Sequence, residues 1–310
     1  MNGKIALQWK NGLLMASLFV LVLGPVVVLG GSKTIYVDED NDKGSQDGSH
    51  DHPYSTIGKA LKHAKKSTVI FVAKGTYKEN VTLPKNTKLV GGKKTGDVVI
   101  KGDNDKPTIT MKDDTEVSKI TVSGGRHGIR VEEYAEAKII DTVVKDSVRD
   151  GIHIDKGTLA KKDQVFIEKS SIRGNRLAGI FSEKRSLIVL ETDIEKNGDG
   201  VDLVAGVKVW FDKDRIFENR GSGFKLVLDG TSFWAKNTSI RRNAREAVEV
   251  NAYGAVGTIG FKKSTLIDNG RYGVAKVGRV SNASFKDIHF DGSRLEGNRL
   301  GAVSPALWIR

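Results

Sequence analysis

Six side chains of this sequence are suited by type to chemistry: the carboxylates Asp155, Glu183 and Asp202, with His153, Lys225 and Arg130. Glycoside hydrolysis needs two carboxyl groups flanking the bond, roughly 5–5.5 Å apart for retention or 6.5–9.5 Å apart for inversion. Asp155, Glu183 and Asp202 can supply such a pair. Elimination from a uronic acid needs a base beside the sugar carboxylate and a cation to neutralise it. His153 or Lys225 suits the base, and Arg130 or a bound calcium the neutraliser. Phe181 and Glu249 are the expected substrate contacts. These residues are far apart along the chain, so only a fold that stacks them can make a site.

Other groupings are less complete. Asp38, Asp40 and Asp42 alternate as in a calcium loop, but Lys43 stands where the tight-turn glycine belongs and Ser49 where the bidentate glutamate belongs. His50, Asp51 and His52 share a short polar loop that is expected to face water. The chain has no cysteine, which excludes disulfides, cysteine-ligated zinc, thiol nucleophiles and iron–sulfur clusters. No phosphate-binding loop and no dinucleotide fingerprint occur.

The elements that position these residues come from a repeat. Gly-Ile, Gly-Val or a close variant returns at Gly128, Gly151, Gly179, Gly200, Gly223, Ala247, Gly273 and Gly301, every 21 to 28 residues. An asparagine precedes six of these steps by three or four positions: Asn175, Asn197, Asn219, Asn243, Asn269 and Asn298. Short stretches such as Ser171-Ile172 and Arg215-Ile216-Phe217 precede each asparagine. Each unit thus reads strand, Asn turn, Gly, strand. Apolar residues alternate with polar ones, as in strands with one buried face. A period just over twenty residues, without helical periodicity, predicts a solenoid of stacked parallel strands. The asparagines are expected in the left-handed conformation, bonded from coil to coil. The glycines are expected to turn the backbone tightly.

This pattern resembles the right-handed parallel β-helix repeat proteins of the pectin-lyase-like group. The first segments strengthen the resemblance: Thr34–Asp38, Pro53–Leu61, Val69–Val72, Gly75-Thr76-Tyr77 and Lys88–Gly91 follow the order of a strand, a polar loop, one capping helix and the first coils. The expected fold is therefore all-β, a right-handed parallel β-helix with a short N-terminal capping α-helix. Residues 32–97 are the cap and first coils, and 98–310 the repeats, in one continuous domain. Ser55 or Thr56 can cap the helix, with Ile57, Ala60, Leu61 and Ala64 on its apolar face. The apolar tail Pro305–Arg310 is expected to cover the last coil. The segment Asn197-Gly198-Asp199-Gly200 is similar to the Asn-Thr-Asp-Gly of polygalacturonases, but their paired Asp-Asp, Gly-His-Gly and Arg-Ile-Lys are missing.

Aligned on the Gly-Ile steps, one outward column reads Arg130, His153, Phe181, Asp202, Lys225, Glu249, Ala275. A second, two residues on, reads Glu132, Asp155, Glu183, Val204, Val227, Asn251, Val277. Coils stack about 4.8 Å apart and outward neighbours on one strand are about 6.7 Å apart. The chemically apt residues then share one patch, flanked by the insertion Lys156–Asp163. Alternating charges are equally what a solvated solenoid face needs.

Residues 1–31 carry Lys4 and Lys10 before an uncharged apolar run, the pattern of a cleaved signal peptide or a retained membrane anchor. The rest is expected outside the membrane, as an extracellular or cell-surface protein. With 50 Lys and Arg against 38 Asp and Glu, the net charge is +12. A positive exported protein suits an acidic polysaccharide. Low aromatic content, 7 %, argues against nucleic acid. The expectation is a monomer that binds a polysaccharide or another envelope component without a complete catalytic set. It touches membrane only through its N-terminus and needs no cofactor. The alternative is a polysaccharide lyase or glycoside hydrolase acting on an acidic glycan, with calcium if a lyase.

Overall fold

The computed structural model describes residues 33–41, 44–227, 229–251, 257–277 and 288–305. The N-terminal apolar segment, Asp42, Lys43 and residues 306–310 of the expected C-terminal cover lie outside them. No helix among the described residues is long and apolar enough to cross a membrane.

The described chain winds as a parallel solenoid with three sheets of eleven, ten and ten strands. One coil contains Ile152–Ile154, Val165–Glu168 and Ser171–Arg173, and each strand pairs in parallel with its counterparts in the coils before and after. The first sheet runs from Thr34–Val37 to Ile288–Asp291, the second from Gly75–Tyr77 to Arg294–Glu296, and the third from Val81–Leu83 to Gly301–Val303. Inward residues stack into one apolar core. It is aliphatic in the early coils, and Phe211, Phe224, Phe233 and Phe261 fill it later.

The capping helix is present over Ile57–Lys62. Thr56 accepts from the Lys59 backbone N–H at 3.2 Å. The Glu79 carboxylate accepts from the backbone of Ile57 and Gly58 at 2.9 and 2.8 Å, satisfying two more free donors. Ile57 and Ala60 are buried, and Leu61 and Ala64 pack against the same core.

The asparagine ladder forms at the turn from the second sheet to the third. Each Nδ2 donates to the Oδ1 of the next coil's asparagine: Asn175 to Asn197 (2.9 Å), Asn197 to Asn219 (3.2 Å), Asn219 to Asn243 (2.9 Å), Asn243 to Asn269 (3.0 Å) and Asn269 to Asn298 (2.9 Å). Each of these Oδ1 atoms also accepts from the preceding asparagine's backbone N–H. Two expectations are corrected here. The left-handed residue is the one before the asparagine, as at Lys196, Glu218, Arg242 and Asp268. Among the glycines of these steps only Gly301 has a positive φ; the others are needed for room. A Cβ on Gly179 would stand 2.7 Å from Gly200 O and 2.8 Å from Asn197 Nδ2.

A second ladder, not read from the sequence, lies at the turn from the first sheet to the second. Thr142, Ser170, Thr192, Asp214, Thr238 and Ser264 occupy it, all buried. Thr142 N donates to Ser170 Oγ, Ser170 N to Thr192 Oγ1, and Thr192 N to Asp214 Oδ1. The residue before each is again left-handed, as at Asp141, Lys169, Glu191 and Lys213.

Candidate functional site

The third sheet stacks the expected column in register: Arg130 pairs with His153, then Phe181, Asp202, Lys225, Glu249 and Ala275. Ile152, Ile180 and Val201 beside them are buried. A further column, missed in the sequence, precedes the glycines: His127, Asp150, Ala178, Asp199, Ser222, Glu246 and Tyr272. Strict alternation counted forward from the glycine does not reach it. The glycine and the following residue both face the core, so the residue before the glycine returns to the outer face.

His153 centres the first cluster. Its Nδ1 lies 2.9 Å from Asp150 Oδ2, and its Nε2 3.3 Å from Asp155 Oδ1. Asp155 Oδ2 accepts from Arg130 Nε at 2.9 Å and pairs with Nη2 at 2.7 Å. Asp150 Oδ1 accepts from the Ala178 backbone at 3.1 Å. His127 Nδ1 sits 3.2 Å from Asp150 Oδ2. Phe181 stacks on the His153 ring, centroids 4.6 Å apart and planes within 6°. Burial works against charge on His153, but the bonds to Asp150 and Asp155 outweigh it and hold the imidazole above its usual range. Burial likewise opposes charge on Asp155, yet His153 and Arg130 hold that carboxyl low. Burial lowers His127, with Asp150 only partly opposing, so this second imidazole favours the neutral form.

The second cluster centres on Lys225, whose Nζ lies 2.7 Å from Asp199 Oδ2. Burial would discharge Lys225, but Asp199 overrides it and keeps the ammonium charged. Asp199 Oδ1 accepts from the Ser222 backbone at 2.8 Å. Ser222 Oγ donates to Glu249 Oε2 at 2.9 Å, and Arg245 Nη2 lies 3.5 Å from the same oxygen. Glu249, expected as an outward substrate contact, is therefore buried at 7 % exposure and held by the protein's own donors. Glu183, half-buried beside Val204, makes no hydrogen bond or ion pair among the described residues. Asp155 turns to Arg130 and His153, so no contact joins it to Glu183.

Asp202 lies between the clusters and forms no hydrogen bond or ion pair among the described residues. Burial pushes its carboxyl up to about 6, against the pull of Lys225 and with help from Asp199. An unfolded aspartate titrates near 3.9. Between those values the folded chain holds the extra proton, so this group makes stability fall as pH rises from about 4 to about 6. Asp202→Asn is expected to remove that fall. Thermal unfolding should show the variant above wild type at about pH 7.5 and level with it near pH 4. Equal midpoints at both values would show that ionising Asp202 carries no cost.

The edges of this face differ. Along the turn from the second sheet, Arg126, Arg149, Arg176, Arg220, Arg245, Arg271 and Arg299 stand at most successive coils, with Gly198 at the break. Backbone bonds tie the row together: Arg149 N donates to Arg126 O and Arg271 N to Arg245 O. Arg126, Arg149, Arg176 and Arg299 are exposed and form no ion pair among the described residues. Arg245 and Arg271 reach onto the face, to Glu246 at 3.5 and 3.1 Å. The opposite edge carries the insertion after Asp155. Arg185, fully buried, donates to the carbonyls of Asp155 and Lys156, both at 3.3 Å, and anchors its start. Exposed Tyr134 and Leu159 stand on this side.

The remaining candidates stay local. Asp38 Oδ1 accepts from the Asp40 backbone at 3.1 Å, and Asp42 lies outside the described residues. His50 and Asp51 form an exposed pair. Among the described residues, a cleft away from the third sheet is lined by Thr95, Asp141, Ser171 and Asp193, and another by Lys88, Glu116 and Lys138.

Solved structures share this architecture. Pectate lyase Pel9A superposes with a TM-score of 0.63 at 15 % identity, over 89 % of this chain and 79 % of its own. An alginate lyase from Paenibacillus sp. gives 0.58 at 16 %, over 80 % and 96 %. The A-module of the Azotobacter vinelandii mannuronan C-5 epimerase AlgE4 gives 0.56 at 14 %, over 87 % and 100 %. At these identities the likeness is one of fold. No curated protein matches the sequence. The sequence profile described as "Right handed beta helix region" matches residues 108–290, well over half the length, and the chain belongs to that right-handed β-helix family.

Proposed function

We propose that this protein binds an acidic polysaccharide along the third sheet, at the cell exterior, with the strand of sugars running parallel to the solenoid axis. The observation that carries this reading is the arginine row beside the outward columns. Exposed arginines on the successive coils of Arg126, Arg149 and Arg176, at about 4.8 Å per coil, offer a repeating match to a polymer with one carboxylate per sugar. Phe181, stacked on the His153 ring, adds an aromatic side chain within the same face. Three proteins of the same fold that are named for pectate, alginate and mannuronan are consistent with a uronate ligand. The apolar N-terminal segment supports export.

Binding is favoured over β-elimination because the surroundings of both side chains suited to act as base favour their protonated forms: two carboxylates at His153 and Asp199 at Lys225. Asp202, at about 6, is the group that keeps a catalytic reading open, since its carboxyl changes charge close to neutrality.

The test incubates the protein with polygalacturonate, alginate and a neutral glucan, with and without calcium, and follows binding, unsaturated ends and reducing ends together. Expected is saturable binding to an acidic polymer, weakened by salt and without products. Unsaturated ends would make it a lyase, and new reducing ends alone a hydrolase. Absence of binding to either acidic polymer would overturn the proposal.

A further inference from the structure

We propose that His127, Asp150 and His153 form a binding site for a first-row transition-metal ion, zinc being the best suited. Two observations carry it. The first is convergence. His127 Nδ1 and His153 Nδ1 lie 3.2 and 2.9 Å from the same carboxylate oxygen, Asp150 Oδ2, and one ligand atom from each residue falls within 4.8 Å of the others. Metal–ligand bonds of about 2.0–2.2 Å place tetrahedral ligand atoms a little over 3 Å apart, so small rotations of the rings and carboxylate suffice. The second is an unfulfilled atom. His127 Nδ1 is buried and, though 3.2 Å from Asp150 Oδ2, is not aligned to hydrogen-bond it. Buried polar atoms are rarely left so, and an imidazole nitrogen facing a second imidazole nitrogen across a carboxylate suits a borderline-soft cation.

The surroundings are those of a supported metal site. His153 keeps its other nitrogen for Asp155, 3.3 Å away, and Asp155 is fixed by Arg130. A carboxylate behind a ligating histidine orients the ring and raises its basicity. Asp150 is anchored through its second oxygen by the Ala178 backbone N–H. Phe181 covers the His153 ring. The fold imposes the arrangement: His127 and Asp150 are successive residues of the column before the glycines, and His153 is three residues beyond Asp150. On binding, the ion takes the place of the proton that His153 holds on Nδ1, which passes to solvent. Three protein ligands leave a fourth position for water or a ligand oxygen.

The test is equilibrium dialysis of the full-length protein against zinc and against cobalt, with the visible spectrum of the cobalt form and the unfolding temperature of the zinc form. Expected are one equivalent per chain, visible cobalt bands of a nitrogen- and oxygen-ligated ion, and a zinc-dependent rise in unfolding temperature. His127→Ala and His153→Ala should each weaken binding by more than about 100-fold, and Asp155→Asn by roughly 10–100-fold with the ligand set intact. The pair His50→Ala, His52→Ala, in the other histidine-bearing loop, should leave binding unchanged. Circular dichroism confirms that each variant is folded. No saturable binding by wild type would overturn the proposal, whatever the variants do. So would binding that survives loss of His127 and His153 in folded protein, or that disappears with His50 and His52. None of these outcomes depends on polysaccharide binding.

Discussion

Asn219→Ala is expected to lower the unfolding free energy by roughly 3–5 kcal/mol, measured by urea or thermal unfolding with far-UV circular dichroism. The side chain is buried at 1 % exposure and is bonded on both sides. Its Nδ2 donates to Asn243 Oδ1 and to Ile194 O, and its Oδ1 accepts from the backbone and side chain of Asn197. Alanine removes all four contacts and leaves donors and acceptors sealed from water. Each such group costs about 1–3 kcal/mol, and some relaxation offsets part of the sum. Asn298→Ala, at the last asparagine of the ladder, should cost less, because its Oδ1 serves Asn269 but no further asparagine accepts from its own Nδ2, which donates to Leu266 O. Equal costs at the two positions would mean that the asparagines contribute as separate turn residues and not as a coupled row.

The combined replacement Arg126→Glu, Arg149→Glu, Arg176→Glu is expected to weaken binding to an acidic polysaccharide by roughly 2 kcal/mol or more, about thirtyfold, with little change in stability. All three side chains are exposed and form no ion pair among the described residues, so the fold loses no contact. Each reversal removes an attraction and adds a repulsion, which is why the effect exceeds that of three lost surface pairs. Titration calorimetry at low and moderate salt would measure it, and the salt dependence of the variant should be shallower. Lys62→Glu, Lys66→Glu, Lys78→Glu carries the same change in net charge near the N-terminal cap and should bind as wild type. If both variants bind alike, net charge and not the arginine row attracts the polymer.

Much of this architecture was legible in the sequence because the same packing demand recurs in every coil. A glycine where the chain of the next coil presses close, and an asparagine at a buried turn, leave marks at a fixed spacing. That spacing set the register of Arg130, His153, Phe181, Asp202, Lys225 and Glu249 correctly. What escaped was lost for physical reasons. His127 and Asp150 sit behind a glycine that breaks strict alternation. The row of Thr142, Ser170, Thr192, Asp214, Thr238 and Ser264 uses small polar residues common at any turn, so it left no distinctive mark. The arginines fall in two adjacent columns, one or two residues after the ladder position, and a count of charges along the chain averages them away. The burial of Glu249 and the pairing of Asp155 with Arg130 depend on side-chain rotamers, which strand periodicity does not specify.

The ladders bond each coil only to its neighbours, so the natural unit of change in this molecule is a whole turn. Asn197 and Asn219 are 22 residues apart and equivalent in position. Excising or duplicating that interval would rejoin like to like in the core and in both ladders. The length of the three sheets can therefore grow or shrink in single-pitch increments, by copying or dropping a short stretch of gene. Under the proposed function, polymer length is then matched by counting turns.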